Sequence, residues 1–107
     1  MITLSSHVLD TTLGKPAKKL PLSLTLPDGS LHNGITDEDG RCNACGVEAF
    51  LPGVYQLRFH CEAYLTEKHG DSFYPFVDIH FSMEENGGHY HVPLLLSPYG
   101  FSSYRGS

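Results

Sequence analysis

The sequence has few basic residues and no long apolar run. Its seven Lys and Arg residues stand against 12 Asp and Glu residues, which gives a formal net charge of −5. A protein that binds nucleic acid needs a basic surface to displace phosphate counterions, and the one basic cluster here, Lys15, Lys18 and Lys19, is interpreted as a solvated loop. No apolar stretch approaches the roughly 20 residues that cross a bilayer. The composition therefore predicts neither a nucleic-acid partner nor a membrane partner.

Cysteine is also scarce, and its number is odd. The three residues are Cys42, Cys45 and Cys61. An odd number of thiols without a secretory signal fits a reducing compartment better than a disulfide framework. The first ten residues contain neither the basic nor the apolar region of such a signal, and the last three are not a peroxisomal address. We therefore expect a cytoplasmic protein.

Apolar and polar residues alternate along most of the chain. Leucine occupies every second position from residue 20 to residue 26, and a Pro-Asp-Gly turn follows. The Asn-Gly-Gly sequence at 86–88 predicts a hairpin between the strands on either side. Residues 62–69 are the one plausible helix, which ends at Gly70. The pattern predicts a single all-β domain over residues 1–107, an antiparallel β-sandwich of about eight strands with one short helix.

Histidine is abundant, with seven residues, as many as Lys and Arg together. Strand alternation places His7 opposite the apolar residues of the first strand, and it places His89 and His91 opposite Tyr90 and Val92. The apolar run after His91 suggests that this face is buried against another subunit, where imidazoles could act as general bases. The other four histidines are interpreted as surface or packing residues: His32, His60, His69 and His80.

Three motifs allow a metal or redox interpretation. Cys42 and Cys45 have C-x-x-C spacing, but a second ligand pair is missing and no βαβ pattern surrounds them, which favours ordinary thiols. Residues 37–41 share their acidic spacing with calcium loops but lack the downstream glutamate, so a solvated turn is expected. A zinc site would need three imidazoles and a water, and the candidate ligands are His7, His89 and His91.

Several segments together resemble the transthyretin-like family. They are Ser6-His7-Val8-Leu9-Asp10 with Gly14-Lys15-Pro16-Ala17, Asp39-Gly40-Arg41, Phe73-Tyr74-Pro75 with Val77-Asp78-Ile79-His80-Phe81, and residues 89–107. The resemblance covers essentially the whole chain. The hormone-carrier branch of the family lacks the features that are typical of the 5-hydroxyisourate hydrolase branch, all of which are present here: His7, Arg41, His91-Val92-Pro93 and Tyr104-Arg105-Gly106-Ser107.

The resemblance implies a transthyretin-like sandwich that assembles as a homotetramer, with active sites in a channel at the dimer–dimer contact. It implies the hydrolysis of 5-hydroxyisourate to 2-oxo-4-hydroxy-4-carboxy-5-ureidoimidazoline in urate degradation. Water would add and open the six-membered ring at an acyl–nitrogen bond. The reaction would need no cofactor and no metal. The alternative on the same fold is a non-catalytic small-molecule carrier of the transthyretin type.

The resemblance also implies roles for single residues. His7 and His91 would activate water and transfer protons, and which of them is the first base stays open. Arg41 would bind carbonyl or oxyanion oxygens through its planar guanidinium. Tyr104 and Ser107 would add hydroxyl contacts, and the terminal carboxylate of Ser107 would orient a neighbour. The expected catalytic residues are thus His7, Arg41, His91 and Ser107, and the expected substrate-binding residues are His7, Arg41 and Tyr104.

Two further residues near the expected site have supporting interpretations. His89 should share a face with His91, two positions away, and is expected to support it. Arg105 either pins the C-terminus to another strand or subunit or takes part in the function.

Overall fold

The computed structural model describes residues 1–106, which form nine strands and one α-helix. The strands are β1 (Thr3–Asp10), β2 (Lys15–Pro16), β3 (Pro21–Thr25), β4 (Leu31–Ile35), β5 (Arg41–Cys42), β6 (Gly53–Phe59), β7 (Val77–Met83), β8 (His89–Ser97) and β9 (Gly100–Ser103). The helix α1 spans Glu62–His69, and a 3₁₀ turn, Ala44–Gly46, follows β5. Within the described residues, no helix is long and apolar enough to cross a membrane.

The strands are divided between two sheets that share one apolar core. The first sheet has the order β2-β1-β8-β9, with β5 also paired to β1, and the second has the order β4-β3-β6-β7. Both sheets contribute fully buried side chains, among them Val8, Leu94, Leu24 and Phe59. The expected all-β sandwich with one short helix is confirmed, and two of the nine strands, β2 and β5, are only two residues long.

Strand alternation explains how β1 divides its residues between core and outer face. Leu4 and Val8 are buried in the core, whereas Ser5 and His7 between them are half-buried on the outer face. The same period of two operates in β8, where Tyr90 is buried against the core. The outer face of the first sheet therefore carries the polar residues of both strands, as the sequence predicts.

β1 and β8 run parallel, and they are the one parallel pair among the strands of residues 1–106. Their register runs from Thr3 opposite His89 to Asp10 opposite Leu96, and it places Ser5 opposite His91. Parallel strands cannot be joined by a tight hairpin, and here β2 to β7 and α1 lie between the two in the sequence. The pairing brings the first and last parts of the chain side by side.

The predicted helix is confirmed with its boundaries. α1 ends at Gly70, which has a left-handed φ of 81° and donates its N–H to the carbonyl of Thr66. A residue with a Cβ atom would be strained there, which is why glycine ends the helix. An eight-residue helix is marginal in isolation, and the fully buried Leu65 holds this one against the core.

The predicted hairpin at residues 86–88 is wrong. β7 pairs with β6 in the second sheet, whereas β8 pairs with β1 and β9 in the first, so the segment between them crosses from sheet to sheet. The hydroxyl of Tyr90 accepts a hydrogen bond from the Glu84 N–H at 2.8 Å and lies against Gly87, where a Cβ atom would be 1.8 Å from it. Glycine is thus needed for a close approach and not for a two-residue hairpin turn.

A buried carboxylate connects the end of β1 to α1. Asp10 is fully buried, and its Oδ1 accepts hydrogen bonds from the backbone N–H groups of Thr12 and Leu13. Its Oδ2 accepts one from the Tyr64 hydroxyl at 2.9 Å and lies 2.7 Å from Nε2 of His69, whose side chain is 10% exposed. His69 is therefore a packing residue, the second of the two alternatives that the sequence left open.

Burial by itself would raise the pKa of Asp10, but the hydrogen bonds from His69, Leu13 and Tyr64 outweigh it and hold the pKa below its ordinary value. A carboxyl whose pKa is lower in the folded than in the unfolded protein stabilises the fold when it is ionised. This contribution is present above the unfolded pKa of about 4 and is lost as the pH falls through the folded value.

The substitution Tyr64→Phe tests this buried site. Removing one hydrogen bond to a buried carboxylate should lower the free energy of unfolding at pH 7 by about 1–3 kcal/mol, and the difference from the wild type should shrink below about pH 4. Urea denaturation at pH 7 and pH 3 measures both effects. Tyr74→Phe, at an exposed hydrogen bond to the Tyr99 carbonyl, is the matched control and should change stability little. An undiminished loss at pH 3 would contradict the role of the carboxylate.

Candidate active site

Three strands of the first sheet bring His7, Arg41 and His91 together on its outer face. β5 pairs with β1 so that Arg41 lies opposite His7, and β8 pairs with β1 so that His91 lies opposite Ser5. The imidazole rings of His7 and His91 are 6.5 Å apart between centroids and stack at an angle of 26°. The structure thus gathers three of the residues that the sequence selected, although the first and last of them are 84 positions apart in the chain.

The position of Arg41 is set by the acidic turn that precedes it. Asp37 Oδ1 accepts hydrogen bonds from the backbone N–H groups of Asp39 and Arg41, at 2.9 and 3.0 Å. Gly40, with a φ of 74°, packs against β1 so closely that a Cβ atom would lie 2.6 Å from the carbonyl of Val8. The turn, expected to be solvated, therefore docks a cation beside His7.

Arg41 is exposed, and its guanidinium forms none of the ion pairs found within residues 1–106. Its charge instead acts on its neighbours. Burial lowers the pKa of His91, and the positive charges of Arg41, His7 and His89 lower it further. His91 is therefore held in its neutral form at pH 7, in which one ring nitrogen can accept a proton.

Hydroxyl groups of β1 connect the two histidines of β8. Ser5 Oγ lies 2.8 Å from Nδ1 of His91 and 2.9 Å from Nε2 of His89, and Thr3 Oγ1 lies 2.6 Å from Nδ1 of His89. The sequence predicted that His89 supports His91 but missed the two hydroxyl residues. The signal was present, since Thr3 and Ser5 alternate with the core residues of β1 on the same face as His7.

Comparison with known proteins decides the family. The family model described as HIUase/Transthyretin family matches residues 4–106. The chain belongs to the HIUase/transthyretin family. The 5-hydroxyisourate hydrolases of Mesorhizobium japonicum and Mus musculus are 46% and 40% identical to it, over 97% of this chain in both cases and 91% and 94% of those proteins.

Solved structures of the family agree with this assignment. The 5-hydroxyisourate hydrolase of Klebsiella pneumoniae superimposes with a TM-score of 0.89 at 34% identity and covers 100% of both chains. The transthyretin of Sparus aurata superimposes with a TM-score of 0.86 at 30% identity, over 96% of this chain and 95% of that one. The backbone fold therefore fits a 5-hydroxyisourate hydrolase and a transthyretin almost equally well.

The C-terminal residues of the family motif are divided between two places. Gly106 donates its N–H to the carbonyl of His91 at 2.7 Å, in an antiparallel bridge beside the strand that carries this histidine. Tyr104, 58% exposed, lines a cavity of about 590 Å³ whose lining includes Phe101 but not the residues of the outer-face cluster. Ser107, an expected catalytic residue, lies outside the described residues.

Arg105 is held by contacts within the chain. Its guanidinium donates to the carbonyls of Gly87 and His89, at 2.9 and 3.2 Å, and lies 4.1 Å from the centre of the Tyr90 ring. These contacts support the first interpretation of this residue, in which it pins the C-terminus to the segment that leads into β8.

The cysteine motif, which the family resemblance does not explain, forms a buried pair of thiols next to Arg41. Cys42 and Cys45 both pack against Gly34, where a Cβ atom would lie 2.8 and 3.0 Å from their sulfur atoms. The hydrogen bond between the two thiols lowers the pKa of Cys42 and raises that of Cys45. In residues 1–106, no three side chains of His, Cys, Asp or Glu are arranged to hold a metal ion.

The substitution Arg41→Gln tests the electrostatics of the cluster. Removing the guanidinium should raise the pKa of His91 towards that of an ordinary imidazole, because a nearby positive charge no longer opposes protonation. NMR titration of the His91 ring measures the change. Arg41→Lys keeps the charge and should leave the pKa low. Equal titration curves for the wild type and the glutamine variant would show that Arg41 does not act on His91.

The substitution Gly106→Ala tests the contact of the chain end with His91. A Cβ atom at this position would lie 2.6 Å from His91 Cδ2, so either the ring must turn or the backbone hydrogen bond must break. We expect large shifts of the His91 ring signals in NMR spectra. Gly100→Ala is the matched control, since its Cβ atom would meet only Ser97 Oγ, at 3.6 Å. Unchanged His91 signals in the Gly106 variant would refute the contact.

Proposed function

We propose that this chain hydrolyses 5-hydroxyisourate to 2-oxo-4-hydroxy-4-carboxy-5-ureidoimidazoline, at a site built from His7, Arg41 and His91. One observation carries the proposal: the imidazole of His91, whose pKa is lowered, lies on the same face as His7 and Arg41. The guanidinium of Arg41 has no carboxylate partner within residues 1–106. Relatives named 5-hydroxyisourate hydrolase, at 40–46% identity over nearly the whole chain, support the same reaction.

The reaction places three requirements on the site. A water must lose a proton as it attacks the ring acyl carbon, the developing oxyanion needs positive charge, and the leaving nitrogen needs a proton. The lowered pKa of His91 supports its role as the base that accepts the proton of water. We assign the binding of the oxyanion to the planar fork of N–H donors of Arg41, and the delivery of the proton to the leaving nitrogen to His7.

We propose that the active protein is a homotetramer, with the active sites in a channel at the dimer–dimer contact. The half-buried imidazoles of His7 and His91 would then face a second copy, which reduces their contact with bulk water and strengthens the electrostatic contacts. In this assembly Tyr104 and Ser107 would complete the set of substrate contacts. Residues 1–107 act as one hydrolase domain, and its three free thiols support a cytoplasmic location.

The carrier function of the transthyretin branch is the alternative on this fold. A sea bream transthyretin in complex with thyroxine superimposes with a TM-score of 0.86 at 29% identity. Two observations favour the hydrolase: the identity to the named hydrolases is higher, and the candidate site holds polar and charged groups that suit an attack by water.

A decay assay tests the proposed reaction. Freshly made 5-hydroxyisourate should lose its ultraviolet absorbance faster with the protein than in buffer alone, and His91→Asn should lower the catalysed rate by about 10²–10⁴-fold. His32→Asn, the same change on the second sheet, should keep the wild-type rate. The mass of each oligomer in solution shows whether assembly is intact. Binding of 5-hydroxyisourate without faster decay would indicate the carrier.

A further inference from the structure

Hydrogen bonds connect a row of side chains on the outer face: Thr3, His89, Ser5 and His91. The proposed reaction uses only His91 of this row. We propose that this row is a proton relay, in which Ser5 passes the proton that His91 takes from water on to His89 at the protein surface. The inference rests on the proposed function, since His91 must first accept a proton. Ser5 and His89 are positioning residues, because they act through His91.

The geometry of the row supports a relay. Ser5 Oγ lies between two ring nitrogens, 2.8 Å from His91 Nδ1 and 2.9 Å from His89 Nε2, and both distances are those of ordinary hydrogen bonds. The other nitrogen of His89, Nδ1, lies 2.6 Å from Thr3 Oγ1. Three ring nitrogens of β8, both of His89 and Nδ1 of His91, therefore have a hydroxyl partner, and Nε2 of His91 is left for water or substrate.

The single proton of a serine hydroxyl couples the two rings. Ser5 can donate to only one of them, so it must accept from the other. When Ser5 donates to His89, His91 carries its proton on Nδ1, and its Nε2 has a free electron pair that can accept a proton. When Ser5 donates to His91, the proton of His91 is on Nε2 instead, and His89 donates from its own Nε2. The tautomers of the two histidines are thus set together.

The transfer itself balances. Nε2 of His91 accepts a proton from the attacking water, which makes the ring an imidazolium with protons on both nitrogens. The Nδ1 proton moves to Ser5 Oγ as the hydroxyl proton of Ser5 moves to Nε2 of His89. His91 is then neutral with its proton on Nε2, Ser5 has its hydroxyl again, and His89 is the imidazolium. Its second proton, on Nδ1, points to Thr3 Oγ1.

The surrounding charges favour this direction of transfer. The groups that face His91 are Arg41 on β5, His7 on β1 and His89 on β8. Burial lowers the pKa of His91, and the permanent positive charge of Arg41 lowers it further. His89 is exposed to water and lies opposite Thr3, which is four residues or roughly 13 Å along β1 from His7 and its partner Arg41. The charge of Arg41 therefore opposes a proton on His91 more strongly than a proton on His89.

Kinetics of Ser5 variants test the relay. Ser5→Ala should lower kcat about tenfold with KM little changed, because in a relay Ser5 acts through His91 and not through a substrate contact, and Ser5→Thr should restore the rate. In mixtures of light and heavy water, the wild-type rate should vary with deuterium content along a curve, and the alanine variant along a straight line, since fewer protons then move together. Ser102→Ala, on β9 in the same sheet, is the matched control. Unchanged kcat in Ser5→Ala would overturn the proposal.

A double substitution separates a relay from a structural effect. His89→Gln keeps hydrogen-bonding groups but cannot take up a proton at pH 7, so it should lower kcat as Ser5→Ala does. If both residues serve one path, the double variant Ser5→Ala with His89→Gln should be no slower than either single variant. Multiplied losses would show independent effects and would overturn the relay.

An NMR measurement decides the coupling without any substrate, and so separates a failure of the relay from a failure of the proposed function. In the wild type, the ring nitrogens of His91 should respond to the titration of His89 as well as to their own. This second step should become smaller in Ser5→Ala, where only charge repulsion between the two rings still couples them. Independent titration of the two rings in the wild type would overturn the relay, whether or not the protein accelerates the decay of 5-hydroxyisourate.

Discussion

The parallel register of β1 and β8 is the constraint on which the candidate site depends. It sets Thr3 opposite His89 and Ser5 opposite His91, while the other edge of β1 receives β5 and with it Arg41. A slip of one residue would turn every side chain of one strand to the opposite face and move the imidazoles into the core. The alternating burial of β1 and β8 opposes such a slip, because each strand places its apolar residues against the second sheet. Packing of the core thus fixes the geometry of the outer face.

The surroundings of His69 and His91 differ in charge. His69 lies against the fully buried carboxylate of Asp10, so its partner is an anion, and the pair connects β1 to α1. His91 has a hydroxyl group as its partner and lies close to Arg41, and its burial and this positive charge lower its pKa. A histidine with an anionic partner stabilises a fold, whereas a neutral histidine with an open nitrogen is available for proton transfer. The environment of each ring therefore separates a packing residue from a candidate base.

The scaffold by itself does not determine function in this family. A transthyretin and a 5-hydroxyisourate hydrolase superimpose on this chain with nearly equal TM-scores. The proposed function therefore rests on a small number of side chains on the outer face of one sheet, together with the turn that carries Arg41. Function resides in such sites and not in the fold, and here the site uses a strand face that the core leaves free.

The sequence by itself determined what is local: the alternation that puts His7 and His91 off the core face, the helix that ends at Gly70, and the motifs of the family. Only the tertiary structure decided which strands pair. The predicted hairpin at 86–88 was wrong because a turn signal marks where the chain bends and not which sheet receives the next strand. The contact of Ser5 with His91 spans 86 positions, and such contacts are decided by burial of both sheets at once, which no local pattern records.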